Sequence, residues 1–464
     1  MSKPLPNCSL VEISALIKSQ SVKVIDVVDQ CLTRISNLND SLNAFIAISA
    51  KSAREAARFS DSEIAAGKYR GPLHGIPISV KDIINVAGTA TTAASHVRAT
   101  TPSITDAPLI TQLRSAGAII IGKCNLHEFA FGTTGEDSAF GPTRNPHDLE
   151  RSPGGSSGGS AVSVATGMAY ASIGTDTGGS IRIPAAACGV VGLKPSFGEI
   201  PCDGIIPLSP SLDHGGPLTR TVTDAWLLYR CLSENLDGNI PSAIASRRPK
   251  VRLGIPRAYF LEHLDTDVRR AFTDTLARLT TAGCHITDVD IPHADLIPAT
   301  YLHIILPEAY AYHAHTLQEC PDKYTKGVRT RLAMGQYILA EDYVRAQHGR
   351  KVLCHEVDTA LTNCDALVLP TLPIPAPQFG RDEVSLGDKV DLVRSAMLRL
   401  TQLFNLTGHP VLSIPCGQSI NSLPVGLQLV GVRNRTDELL QLATALESHI
   451  VGNRQTNVAQ ERVV

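Results

Sequence analysis

Residues 154–196 read GGSSGGSAVSVATGMAYASIGTDTGGSIRIPAAACGVVGLKPS, and the parsing of these residues governs everything else about the chain. They hold two glycine clusters, GGSSGGS over 154–160 and GTDTGGS over 174–180. Between the clusters, residues 160–167 continue as a helix and 169–173 form a short apolar strand. Each cluster therefore lies between a strand-like or loop segment and the start of a helix. Glycine there allows backbone conformations closed to other residues and a close approach to a ligand. The helix starts present unpaired N–H groups suited to an anion or an oxyanion.

The same alternation of short strand, glycine-rich turn and helix extends outward over 71–217, with strands at 76–80 and 118–121 and a helix at 106–116. Further on, strands are predicted at 251–254, 366–369, 411–414 and 425–430, and helices at 267–282 and 437–447. Residues 370–377 (PTLPIPAP) read as a rigid extended loop rather than a linker, because sheet strands follow them. Before residue 71 the pattern is mostly helical. Ser9 and Glu12 form a capping box. Val24, Val27, Val28, Cys31, Leu32 and Ile35 recur at helical spacing. A strand at 43–50 and an Ala-rich helix at 52–66, ended by Gly67, complete this part. The expectation is an α/β fold with one large twisted sheet covered by helices on both faces. It is read as one domain over 1–464, with a helical layer at 1–70, a catalytic core at 71–230 and the rest of the sheet in 231–464.

Composition narrows the function classes. With 464 residues, 43% apolar, 19% charged and a net charge of −2, the chain gives no electrostatic reason to expect nucleic acid or an anionic membrane as partner. Its best apolar run, 116–121, has the length of a buried strand, far short of a spanning helix. The first ten residues, MSKPLPNCSL, lack the pattern of an export signal, so a cytoplasmic location is expected. The 11 cysteines are odd in number, scattered, and never in a C-x-x-C pair, which favours buried reduced thiols over disulfides or a metal site.

Three readings compete for the glycine clusters. A phosphate cradle suits the glycines, but Gly159 and Gly179 are followed by serine where a P-loop needs lysine, and no G-x-G-x-x-G is present. Residues 154–158 match the nucleophile elbow G-x-S-x-G, which would make Ser156 the nucleophile of a Ser–His–Asp triad. That elbow should follow a strand directly, and residues 151–153 read as loop. The third reading pairs a serine with a buried, neutral lysine as base. The candidate is Lys81, at the end of the apolar strand in PISVKD (77–82).

Residues 154–196 resemble the amidase signature almost residue for residue, and this resemblance selects the third reading. Four other segments are similar to the family as well: LHGIPISVKD (73–82), GPTRNP (141–146), LDHGGPLTRT (212–221) and LPVGLQLVG (423–431). The resemblance implies an amidase-signature fold and a serine hydrolase of amide-type bonds, with Ser180 as nucleophile, Ser156 as bridge and Lys81 as base. Ser156 precedes Ser180 by 24 positions and follows Lys81 by 75, as that triad requires. It also implies a cis Gly155–Ser156 peptide and an oxyanion hole from the N–H groups of Thr177, Gly178, Gly179 and Ser180. Ala130, Phe131 and Gly132 match the segment lining the acyl pocket, although Phe131 as ordinary core is nearly as good a reading. No metal or organic cofactor is expected, and the partner is a small-molecule substrate, with a monomer or a homodimer both suitable.

Asp176 and Arg182 are expected to form a salt bridge shaping the nucleophile loop, Ser157 and Ser160 to serve hydrogen bonding and helix capping, and Cys124 and Cys188 to be buried. Within the family, the glutamine-hydrolysing component of a tRNA-dependent amidotransferase is the nearest competitor. Its nucleophile is usually followed by I-R-Q-P, where this chain has IRIP (181–184). The acid that would grip the glutamine amino group is absent from MLRLTQ (397–402), beside NLTG (405–408). A stand-alone hydrolase of uncharged aryl or alkyl amides is therefore preferred, with esters and carbamates (urethanes) as companions. Specificity is assigned to about 253–362, the part least like the family. The expectation from another class is a non-catalytic binding subunit on the same fold; a nucleotide-binding protein is the third.

Overall fold

The computed structural model describes residues 5–98, 100–233, 251–386 and 389–452. Its centre is an eleven-stranded mixed sheet. The strands in chain order are β1 (Phe45–Ile48), β2 (Pro77–Lys81), β3 (Ile119–Cys124), β4 (Ala171–Asp176), β5 (Val191–Lys194), β6 (His214–Thr219), β7 (Arg252–Pro256), β8 (His285–Val289), β9 (Ala366–Pro370), β10 (Glu383–Leu386), β11 (Lys389–Leu392), β12 (Val411–Gln418) and β13 (Pro424–Val430). Across the sheet they run β1-β3-β2-β4-β6-β5-β12-β13-β9-β7-β8, while β10 and β11 form a separate hairpin.

Every residue of β2, β3, β4, β5, β6, β9 and β13 is buried. Strands hidden on both faces read as continuous apolar runs rather than alternating ones, which is why ISV in β2, III in β3 and ALVL in β9 carry the strand signal. Helices cover both faces, as the sequence predicts. No described helix is long and apolar enough to cross a membrane.

The N-terminal helices behave as their periodicity demands. Ser9 accepts from the Glu12 N–H and Glu12 reaches back to the Ser9 N–H, closing the capping box on the helix Leu10–Lys18. All six apolar positions named from Val24 to Ile35 face inward from the helix Val24–Leu42. Between that helix and Ala50–Ala65, β1 joins the sheet as an edge strand antiparallel to β3.

β2 lies parallel to both of its neighbours, with Ile78 opposite Ile120 in β3 and opposite Ala171 in β4. Parallel strands put their C-terminal ends on one edge of a sheet, where ligands of α/β proteins commonly bind. Lys81 ends β2 and Asp176 ends β4, so the lysine and the glycine-rich loop after β4 open on the same edge.

Candidate active site

Lys81 is fully buried and its Nζ donates to Ser156 Oγ and to Thr175 Oγ1, both at 2.7 Å. Burial pushes the lysine down to about 7, against the opposing pull of the Asp176 and Asp213 carboxylates. Ser156 follows a cis Gly155–Ser156 peptide. It is reached from a loop, not from a strand, and its hydroxyl partner is a lysine, so the Ser–His–Asp elbow reading has no support in the geometry. The helix Gly158–Ala165 begins just after it and lies under β2, tied by Ser79 Oγ to Ser163 Oγ at 2.8 Å. Ser157 stands at the N-cap of this helix but its side chain makes no capping hydrogen bond, and Ser160 lies inside the helix. Ser157 instead sends its hydroxyl to the Thr175 carbonyl at 3.1 Å, joining the two glycine clusters.

The loop from Asp176 to Arg182 carries Ser180. Its Ser180 carbonyl accepts from the Ser157 N–H at 3.1 Å, so the second cluster is held against the first. Ser180 keeps 7% of its surface, whereas Lys81 and Ser156 keep none; of the three, only Ser180 can be reached from outside. Among the described residues the N–H groups of Gly178, Gly179 and Ser180 donate to no protein acceptor. Buried N–H groups are nearly always paired, so three consecutive unpaired ones mark a place for an oxygen from elsewhere.

The loop's shape is imposed from beneath by an ion pair. Arg182 Nε and Nη2 reach the two oxygens of Asp176, each at 3.0 Å, and both residues are wholly buried. Asn405 donates to Asp176 Oδ1 at 2.8 Å and to its carbonyl at 2.9 Å, while Arg182 also donates to Asn405 Oδ1 at 2.7 Å and Gln428 Oε1 at 3.2 Å. Burial alone would raise the Asp176 carboxyl; the Arg182 charge and these hydrogen bonds overcome it and hold it well below the usual carboxylate range. The salt bridge expected from the sequence is thus present, in a larger network.

From above, the loop is packed by groups outside the signature. Thr401 Oγ1 donates to the Gly178 carbonyl at 2.6 Å. A Cβ on Gly178 would stand 2.2 Å from the Tyr301 hydroxyl, and one on Gly179 would stand 2.4 Å from Thr401 Oγ1. Gly179 also has φ +137, a conformation that favours glycine. Gly179→Ala is therefore expected to destabilise the fold by about 1–3 kcal/mol through overpacking, measurable by urea unfolding. A variant as stable as the wild type would mean that Thr401 can move aside freely. On the flank, Thr177 Oγ1 donates to Asp213 at 2.6 Å. Burial pushes that carboxyl up to about 6, although Thr177 and the Leu208 and Ser209 N–H groups pull it down.

The residues on either side of the segment expected to line the acyl pocket, 130–132, meet the cis peptide. The His127 N–H donates to the Ser156 carbonyl at 3.1 Å, and a Cβ on Gly155 would meet the backbone of 133–135 at 2.9–3.0 Å. Ala130 has φ 59, and a Cβ on Gly132 would lie 2.0 Å from His127 Nε2. Phe131 is buried, with Arg331 and Arg394 both against its ring. Cys124 and Cys188 are buried, as expected.

The sequence reading missed Thr175, Tyr301, Leu398, Thr401 and Gln428 as neighbours of the site. Thr175 and Gln428 stand inside quoted motifs and could have been flagged there. Tyr301 comes from the helix Ile297–Glu319, whose sequence carries no local signal, and Thr401 from the turn after Val393–Leu398, inside the MLRLTQ stretch considered for its missing acid.

The Amidase family model matches residues 26–440. An amidase of Pseudomonas putida is 38% identical over 431 residues, covering 90% of this chain and 91% of that protein. A glutamyl-tRNA(Gln) amidotransferase subunit of Anaeromyxobacter sp. (strain K) is 36% identical over 490 residues, with 97% of each chain covered. A solved amidase crystal structure superposes with a TM-score of 0.90 at 37% identity, over 96% of this chain and 100% of the other.

Proposed function

Since this chain belongs to the amidase family of amide hydrolases, we propose that it cleaves its substrate through Lys81, Ser156 and Ser180, with Ser180 as the nucleophile. The observation that carries this reading is the 2.7 Å contact between the buried Lys81 Nζ and Ser156 Oγ on the cis peptide, beside a loop whose free N–H groups end at Ser180.

Neutral Lys81 takes the Ser156 proton while Ser156 takes that of Ser180, and Ser180 Oγ bonds to the substrate carbonyl carbon. The oxyanion enters the hole formed by Thr177, Gly178, Gly179 and Ser180, where each donor is typically worth about 3–4 kcal/mol. The proton returns through Ser156 to the leaving nitrogen, the C–N bond breaks, and an acyl-Ser180 ester remains. Water, deprotonated along the same path, attacks that ester and frees Ser180. Esters and carbamates meet the same nucleophile and hole, so they belong to the proposed range. Peptide bonds within folded chains do not, because Ser180 is so little exposed.

The base role fixes the sign of the pH dependence. Lys81 must be unprotonated to act, and burial brings its proton off at about 7. The rate constant kcat/KM is therefore expected to rise with pH and level off above an inflection near 7. A pH–rate profile that stays flat from about pH 5 to 9 would remove Lys81 from this role.

The long match to the amidotransferase component keeps glutamine hydrolysis as a second reading. Against it, Leu398 packs against Gly178 and the stretch 397–402 holds no carboxylate for a substrate ammonium. Desolvating an ammonium without a partner is costly. The deciding experiment is hydrolysis of an aryl anilide, a p-nitrophenyl ester, an aryl carbamate and glutamine, by wild type and Lys81→Ala. Cleavage of the anilide or carbamate, lost in the variant, supports a stand-alone hydrolase. Turnover of glutamine alone supports the amidotransferase reading. No turnover, together with no labelling by a serine-directed fluorophosphonate, would leave a binding subunit.

A further inference from the structure

Two guanidinium groups converge on one ring in this site. Arg394 lies 5.3 Å and Arg331 5.7 Å from the Phe131 centroid, the first from the short helix Val393–Leu398 and the second from Lys326–Met334. Like charges brought together in a partly buried site repel, and such charges are normally paired. Arg331 has a partner: its Nη2 is 3.3 Å from Asp137 and 3.1 Å from His127 Nε2. Asp137 is ionised, its carboxyl drawn down to about 2 by His127 and Arg331 against the effect of burial. His127 is neutral, because burial pushes it down to about 4. The next acid, Glu128, accepts from the Thr325 N–H and hydroxyl, and its charge is felt by Arg331.

Arg394 has no such partner. Its Nε is buried without a hydrogen bond, and no carboxylate among the described residues pairs with it. Burial, reinforced by the Arg331 charge, lowers it to about 10, so it remains positive at neutral pH. Arg331 thus has Asp137 as its ion-pair partner and feels Glu128 as well, while the positive charge left without a paired carboxylate is that of Arg394.

Its place points at the reaction. Leu398, one helical turn or about 5.4 Å further along the same helix, packs against Gly178. Tyr301, whose hydroxyl crowds Gly178 from the other side, lies within the electrostatic reach of Arg394. Phe131 lies in the chain between His127 and Thr133, both of which meet the cis peptide.

We propose that Arg394, with Arg331 beside it across the Phe131 ring, binds a carboxylate of the substrate, so that the preferred amides carry an anionic group a short chain away from the scissile carbonyl. This rests on the reading of Ser180 as nucleophile. It narrows the uncharged class expected from the sequence: the missing acid still argues against a substrate ammonium, and the unpaired guanidinium argues for a substrate anion. Half-amides of short dicarboxylic acids have that chemistry, and the deaminated relative of glutamine, glutaric acid monoamide, should outperform glutamine itself.

The test compares p-nitroanilides of malonic, succinic and glutaric acid with the neutral 4-oxopentanoyl p-nitroanilide. In wild type the best anionic member should exceed the neutral one in kcat/KM by about 10–100-fold, the value of a charged hydrogen bond. Arg394→Met should collapse that ratio, chiefly through KM, and Arg394→Lys should restore part of it. Equal kcat/KM for anionic and neutral substrates in wild type would overturn the proposal, as would an unchanged ratio in Arg394→Met. Calorimetric binding of succinate and glutarate to Ser180→Ala protein supplies an arm free of catalysis, where adding Arg394→Met should weaken binding about tenfold or more. No dicarboxylate binding in that arm overturns the carboxylate site; turnover surviving in Ser180→Ala overturns the nucleophile and leaves the Arg394 comparison intact.

Discussion

Ser180→Ala is expected to lower kcat by about 10⁴–10⁶-fold, the range seen when the nucleophile of a serine hydrolase is removed, while leaving the melting temperature unchanged. The two halves of this expectation have separate causes. The Ser180 hydroxyl makes no hydrogen bond among the described residues, and the residue is nearly buried, so alanine leaves the surrounding packing as it was. Lys81 and Ser156 keep their 2.7 Å contact, yet no oxygen remains to form the acyl bond. Residual turnover would come from water in the oxyanion hole. Ser156→Ala should cost about 10²–10⁴-fold, as loss of a proton relay does, because Ser180 itself is retained. Should Ser180→Ala keep wild-type activity while Ser156→Ala loses it, the nucleophile would have to be moved to Ser156.

Arg182→Met should destabilise the protein by about 3–5 kcal/mol, the cost of leaving a buried charge without its partner. Both ends of the Asp176–Arg182 pair are fully buried, and Asp176 is the last residue of β4, so its displacement also moves the loop that follows. The pH dependence has a definite sign. In wild type the Asp176 carboxyl is held below its ordinary value, so its contribution is present at neutral pH and fades only in strong acid. With the guanidinium gone, burial prevails and raises that carboxyl, so the variant's deficit should shrink as the pH falls through the acidic range. Urea unfolding at two pH values reads this directly. Adding Asp176→Asn to Arg182→Met should recover part of the loss, since the orphaned charge goes with it; a double variant no more stable than the single one would show that the rest of the network, through Asn405 and Gln428, carries the cost instead.

The strands at the centre of the sheet could be read from sequence because both of their faces are buried. Uninterrupted apolar runs such as those of β3 and β9 have few alternatives at that length. β5 and β6 escaped notice: VGLK is too short, and HGGPLT has two glycines and a proline, which mark a turn by local preference. Tertiary pairing with β4 and β12 overrides that preference. The long helices Ile297–Glu319 and Ala340–Leu361 were likewise not picked out, since they are buried at irregular positions and the first contains Pro307. For the site, residues 73–82 and 154–196 brought forward Lys81, Ser156 and Ser180 because those positions share long motifs. Of the groups that crowd the loop from above, Leu398 and Thr401 lie together in MLRLTQ, and Tyr301 joins them only in three dimensions.

Gly178 has a consequence for how such a protein can diverge. Below it lies the hydrogen-bonded frame of β2, β4 and the Asp176–Arg182 pair, in which a one-residue slip of β2 would turn Lys81 to the opposite face of the sheet. Above it lie the side chains of Tyr301 and Leu398, from separate helices, packed against the glycine, and Thr401, whose hydroxyl donates to the Gly178 carbonyl. Tyr301 and Leu398 meet the frame by packing alone, so changes in them can accumulate without breaking its hydrogen bonds. New substrate preferences can thus be acquired by drift in Tyr301, Leu398 and their neighbours, while the reacting groups stay fixed to the architecture that made them.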